Sequence, residues 1–235
     1  MPADLTSDTE GGVVSDSFWT DRVGGSLGVV TDYLSRGISQ TRGSPAIQGG
    51  LHARLPAGWV IGAWSSMVKL NPGHGATLEV DLHAGHLWAL NDDWSSKLAV
   101  THYMYPNDTR QVRYDYDELS ASLSYRSRII ATATWSPNTS RYSNGYVASR
   151  RNAASYELAM LQPLSGSWSL AAGAGYYDLT DLFGEGYWYW NVGFTYSLGN
   201  VQLDLSHIDT DHTATRLFGY EVAGSSWSGA VTWRF

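Results

Sequence analysis

The sequence predicts an all-β chain, a transmembrane antiparallel up-and-down β-barrel of about twelve strands, and three observations carry that expectation. Apolar and polar residues alternate with period two over long stretches. Tryptophan and tyrosine recur beside short turns rich in Gly, Pro, Asn and Asp. The connections alternate between tight and long.

The alternation is plainest over 226–235, where Trp227, Gly229, Val231, Trp233 and Phe235 share one face and Ser226, Ser228, Ala230, Thr232 and Arg234 the other. Segment 187–198 sets Trp188, Trp190, Val192, Phe194, Tyr196 and Leu198 against Tyr189, Asn191, Gly193, Thr195 and Ser197. Segments 167–177, 78–88 and 117–125 repeat it, the last opposing Leu119, Ala121 and Leu123 to Glu118, Ser120, Ser122 and Ser124. A soluble sandwich would pack its apolar faces on a second sheet. Strands of about 9–11 residues with interfacial Trp and Tyr match a bilayer instead.

On this rhythm strands are expected near 23–35, 45–55, 58–70, 76–89, 93–105, 114–126, 128–136, 152–163, 167–178, 186–198, 200–209 and 224–235. The tight turns read Pro56-Ala57-Gly58, Asn91-Asp92, Ser127, Ser165-Gly166 and Gly199-Asn200, with Trp59, Trp94 and Trp168 close behind three of them. Connections 36–44, 71–75, 106–113, 137–151, 179–185 and 210–223 are the long set. Short turns on the periplasmic side and long loops outside are the habit of outer-membrane barrels.

Composition narrows the function classes. The 235 residues include no cysteine, 25 glycines, 11 tryptophans and 15 tyrosines, with a formal charge of −7. Without cysteine there is neither a disulfide framework nor a thiolate metal site. No apolar run of about 18 residues is present, which argues against a membrane helix; the mean hydropathy of −0.24 suits alternating strands. The acidic balance argues against a nucleic-acid partner, since phosphate binding needs clustered Lys and Arg. Met1-Pro2-Ala3 reads as a start placed on a mature chain. Residues 1–20 are expected to form a mobile periplasmic segment, with the barrel over 21–235.

The stretch Gly28-Val29-Val30-Thr31-Asp32-Tyr33-Leu34-Ser35-Arg36-Gly37-Ile38-Ser39-Gln40, followed by Pro45-Ala46-Ile47-Gln48-Gly49-Gly50, resembles the opening of the TorF family of porins. That resemblance implies a Gram-negative outer-membrane location and a channel role. Phe235, with Trp233 and Val231 at alternate positions, is similar to the terminal signal read by the barrel-assembly machinery.

In a channel the inner face carries the function, because its charged side chains set the field a solute crosses. Alternation selects Asp32, Arg36, Gln48, His52, Arg54, Glu79, Asp81, His83, Lys97, Glu118, Glu157, Asp204 and Arg234 as pore-lining candidates, and puts Arg126 with them. Asp32 and Arg36 lie four apart on one expected face, with Gln48 and His52 on the neighbouring strand. They form either one constriction or a hydrogen-bonded set that fixes register. Small residues Gly173, Gly175, Gly193, Ser120, Ser122 and Ser124 are expected to leave space in the lumen.

The expected activity is passive diffusion of small polar solutes or ions across outer-membrane lipid, with no catalysis, cofactor or metal. A closed, non-conducting barrel binding a ligand or partner through its outer loops, 137–151 above all, is the rival reading. An outer-membrane hydrolase using Asp211 and His212 as a general-base pair, with Asp115 and Asp117 opposite, is the third. Asn91, Asp92 and Asp93, and likewise Asp209 and Asp211, have the oxygen ligands for Ca²⁺ but are more simply solvated.

Overall fold

A computed structural model describes residues 23–70, 76–107, 114–143 and 146–235; for 141–143 and 146–148 only the backbone is considered. The expected segment 1–20 and most of connections 71–75 and 106–113 lie outside those residues.

Among the described residues twelve strands close into one antiparallel barrel. They are β1 (Val23–Val30), β4 (Ala46–Arg54), β5 (Trp59–Met67), β6 (Leu78–Ala89), β7 (Trp94–Met104), β8 (Tyr116–Tyr125), β9 (Ile129–Ser143), β10 (Tyr146–Pro163), β11 (Trp168–Asp178), β12 (Tyr187–Leu198), β13 (Val201–Thr210) and β14 (Ser226–Arg234). The ring is sealed where β1 meets β14, with Leu27 opposite Trp233 and Val29 opposite Val231. Beyond the strands' end, Gly25 and Phe235 exchange backbone hydrogen bonds of 2.8 and 3.0 Å. Closure matters because every unpaired N–H or C=O would be costly in hydrocarbon.

The wall presents its apolar residues outward. Leu27 and Val29, Ile47 and Leu51, Phe194, Leu203 and Leu205 are all exposed, and each alternates with a residue facing the interior. At the end where the turns are tight, aromatic rings pair between neighbouring strands: Trp94 with Tyr125 and Trp168 with Tyr196, each 4.9 Å between centroids. At the other end Tyr176 meets Trp188, and the His207 imidazole sits between Trp190 and Trp227. Two aromatic girdles bordering an apolar band are what two membrane interfaces select.

The tight turns use the expected residues for identifiable reasons. Arg126 and Ser127 both take positive φ, 51° and 52°, the conformation of a two-residue hairpin turn whose twist matches the strands. The Asn91 side chain accepts from the backbone N–H groups of Asp93 and Trp94, closing its turn locally.

Three expectations need correction. The first strand stops at Val30 rather than 35, because the chain leaves the wall there. The expected loop 137–151 is mostly strand: β9 and β10 run on as a hairpin, of 15 and 18 residues. A bulge in which Pro137 and Asn138 oppose Asn152 lets the ladder absorb a proline that cannot donate to it. Arg126 does not face the lumen; it sits in a turn, its Nε 2.7 Å from Asp93.

The remaining elements gather at the loop end. A short hairpin, β2 (Leu34–Ser35) with β3 (Ile38–Ser39), fills the connection between β1 and β4. Two helices, α1 (Thr180–Phe183) and α2 (His212–Phe218), occupy the connections after β11 and β13.

Candidate functional site

The segment 31–45 does not stand above the barrel; it folds into it. Two clusters of buried apolar residues sit at the loop end. In one, Tyr33 and Leu34 of this segment pack among Val30, Ala46, Tyr103, Tyr105, Ile208 and Ala230 of the inner wall. In the other, Ile38 and Tyr177 pack against a cluster that includes Tyr187, Tyr189, Leu182 of α1 and Ala214 of α2. The hairpin and both helices thus form a packed cap inside one mouth.

Polar contacts tie the hairpin at its root, flank and tip, and on its return limb the Ser39 N–H donates to the Val222 carbonyl at 2.8 Å, the Gln40 carbonyl accepts from the Lys69 N–H at 2.7 Å and Arg42 pairs with Glu221 at 2.7 Å. At its root Asp32 accepts from the Ser39 and Thr41 hydroxyls at 2.5 and 2.7 Å, while its own carbonyl accepts from Ser228 at 2.9 Å. On its flank the Tyr33 hydroxyl donates to Glu79 of β6 at 2.9 Å, and Tyr105 donates to the other oxygen of the same carboxylate at 2.7 Å. At its tip Arg36 reaches Glu118 of β8 with two parallel hydrogen bonds, 2.8 and 2.9 Å. This bidentate fork is the strong form of the ion pair.

The rest of the tip is held as closely. The guanidinium carbon lies 4.6 Å from the Tyr177 ring centre on β11, and the Tyr187 hydroxyl of β12 donates to the Arg36 carbonyl at 2.9 Å. Tyr103 adds a third hydrogen bond to Glu118, 3.1 Å, and stacks on Tyr116 at 4.3 Å. Arg36 and Gly37 have φ of 48° and 76°, the pattern of a two-residue turn between paired Ser35 and Ile38. A side chain at 37 would meet Thr210 Cγ2 at 2.5 Å, so the glycine also permits close seating on the wall.

The other sequence-selected residues fall on the wall. Gln48 bonds Ser66 across β4 and β5 at 3.2 Å, while the His52 ring covers Gly24. Glu157 of β10 accepts from Tyr189, and Asp204 accepts from Thr195 at 2.7 Å and Gln202 at 2.9 Å. Asp81 is buried on β6 beside Glu79. Arg54, His83, Lys97 and Arg234 lie towards the tight-turn half and stay partly exposed, as do Ser120, Ser122 and Ser124. These side chains keep partial exposure there, while the loop end is packed.

The expected space beside the inward glycines is partly filled. A side chain at Gly175 would run into the Tyr189 ring at 2.5 Å, and one at Gly193 into Ser206 at 2.1 Å. These glycines make room for neighbouring side chains rather than for solute. The tyrosines of the cap were missed as site residues; the parity that selected Lys97 also carries Tyr103 inward. Tyr33 had no such signal.

The model of a family described as "Bacterial protein of unknown function (Gcw_chp)" matches residues 17–235. The chain belongs to the Gcw_chp family.

Compared with curated proteins by sequence, this Gcw_chp chain matches none. Solved structures similar to it include a KdgM porin, TM-score 0.56 at 8% identity, covering 90% of this chain and 99% of that one. A NanC porin gives 0.55 at 12%, covering 89% and 97%. The CymD monoaromatic hydrocarbon channel gives 0.50 at 8%, covering 90% and 87%. At these identities the likeness is one of fold.

Two further features of the Gcw_chp barrel belong to its structure. Asp211 caps α2 by accepting from Thr213 and Ala214 N–H groups at 2.9 and 3.1 Å, and its second oxygen accepts from Trp188 N at 3.0 Å. That use of its oxygens is a helix cap. His102 bonds Asp117 at 2.7 Å on the outward side of β7 and β8, and Asn138 donates to the same carboxylate at 2.8 Å.

Proposed function

We propose that this chain is a porin-like channel of the bacterial outer membrane, passing small polar solutes or ions passively, with the 31–45 hairpin as its constriction. One observation carries the reading: a closed ring of twelve strands turns an apolar band outward and carries Glu79, Asp81, Lys97, Glu118, Glu157, Asp204 and Arg234 on the opposite, inward face. Such a wall is stable in hydrocarbon and wet inside. The likeness in fold to KdgM, NanC and CymD supports it. Twelve strands give a lumen between the filled interior of eight and the wide aqueous channel of about sixteen.

In this reading Asp32, Arg36, Glu79, Asp81 and Glu118 set the narrow outer part, and Arg54, His83, Lys97 and Arg234 face the wider periplasmic part. The TorF-like opening stretch is then the constriction segment itself. Residues 1–20 precede the barrel on the periplasmic side, and Phe235 serves assembly. No catalytic step is assigned.

Packing of the cap favours a second reading, a non-conducting barrel that binds through its outer elements. Recording purified full-length protein in planar bilayers separates the two. Reproducible conductance steps are expected; a persistently silent membrane with folded protein overturns the channel.

A further inference from the structure

We propose that the 31–45 hairpin is a latch, and that the Arg36–Glu118 pair is the clasp that holds it across the lumen. The proposal rests on the channel reading and adds its regulation.

The hairpin springs from the seam between β1 and β4, yet its tip engages β8, β11 and β12. Counted round the ring, β8 is five strands from β1 one way and β11 four strands the other. The tip therefore spans the bore and touches both arcs of the far wall. A strap in that position narrows the mouth, and its displacement widens the path.

At the tip its attachments are polar or aromatic rather than aliphatic. The tip is held by an ion pair, a phenol donating to a carbonyl, and an aromatic face. Water replaces such contacts at moderate cost once one is broken, because each group finds other hydrogen-bond partners. The charges act together. Arg36 and Glu118 are both nearly inaccessible, 7% and 4% for the side chains, so removing either leaves its partner charged and without its counter-ion in the cap. Partly exposed polar side chains of the lumen lie below. A stranded guanidinium on a fifteen-residue segment moves to water more easily than a carboxylate on a barrel wall. Loss of Glu118 should thus free the tip of the strap and loosen the rest, and loss of Arg36 should remove the same tether from the other side.

The test compares single-channel conductance of parent, Arg36→Ala, Glu118→Gln and the charge-swapped double variant Arg36→Glu/Glu118→Arg, each shown folded by its resistance to SDS without heating. Both single variants should conduct roughly threefold or more above parent, through larger steps or longer openings, and the swapped pair should return toward parent. Folded single variants that conduct like the parent overturn the latch while the channel stands. Silence from all four overturns the channel, and the latch's control of it falls too.

A second measurement reads the strap itself. The chain has no cysteine, so Leu34→Cys is a unique label site, and Leu34 is almost wholly buried. A water-soluble maleimide should label it slowly in the parent background and markedly faster with Glu118→Gln. Equal labelling rates in both backgrounds overturn the latch whatever the conductance.

Discussion

At the scale of single residues, the hydrogen bonds assign Asp211 and Arg126 to structure. Asp211 satisfies two N–H groups at the start of α2 and one on β12, groups that would otherwise stand open at the barrel mouth. Asp211→Ala should cost about 1–2 kcal/mol, the range of a lost N-cap. The urea midpoint of the liposome-inserted protein checks this, and Asp211→Asn should recover most of the loss. Arg126 is held above its ordinary pKa by its hydrogen bond to Asp93 and by that carboxylate's charge. A base whose folded pKa is raised stabilises below its unfolded pKa and loses that contribution only as pH climbs through the folded value. For an arginine this window lies in strong alkali. The effect of Arg126→Ala on the unfolding midpoint should therefore be the same at pH 7 and pH 9; a difference would mean that another group titrates with it.

At the scale of elements, the informative contrast is between strands that the period describes and connections that it does not. On β12, Gly193 faces inward directly beside Ser206 of β13, and a Cβ there would also lie 2.5 Å from the Leu205 carbonyl oxygen. The wall must yield or the ladder must part. Gly193→Val should destabilise the barrel by roughly 1–3 kcal/mol, as overpacking does, and the folded, SDS-resistant fraction after refolding should fall. Normal yield would show that Ser206 simply rotates away. The β9–β10 hairpin shows the reverse case. Its polar sequence reads as a loop because alternation fades once a strand leaves the apolar band, yet backbone pairing continues through Arg150 and Arg151.

At the scale of the whole molecule, the two faces of one wall meet different solvents, and substitutions should report it. Leu205 is exposed at mid-strand, with Ser206 buried on the opposite side. Leu205→Arg should cost about 2–4 kcal/mol in a bilayer, the penalty of a charge near the midplane of such a barrel. Ser122→Arg, on the wet inner face, should cost under about 1 kcal/mol. Equal costs in liposome unfolding titrations would remove the bilayer from the account.

The sequence by itself determined the wall. Period two needs only each residue and its second neighbour, so strand number, facing and tight turns were legible from Trp227 to Phe235 as from Leu119 to Glu118. Inward parity likewise picked out Glu79, Glu118 and Asp204 from their own strands. Tertiary structure alone decided the mouth. Arg36 meets Glu118 across 82 positions of chain, and Tyr187 meets Arg36 across 151. Contacts at such separation leave no periodic trace, because they form only after the ring has closed and brought distant strands around one cavity. The direction taken by 31–45, and the burial of its Tyr33 and Leu34, follow from that closure.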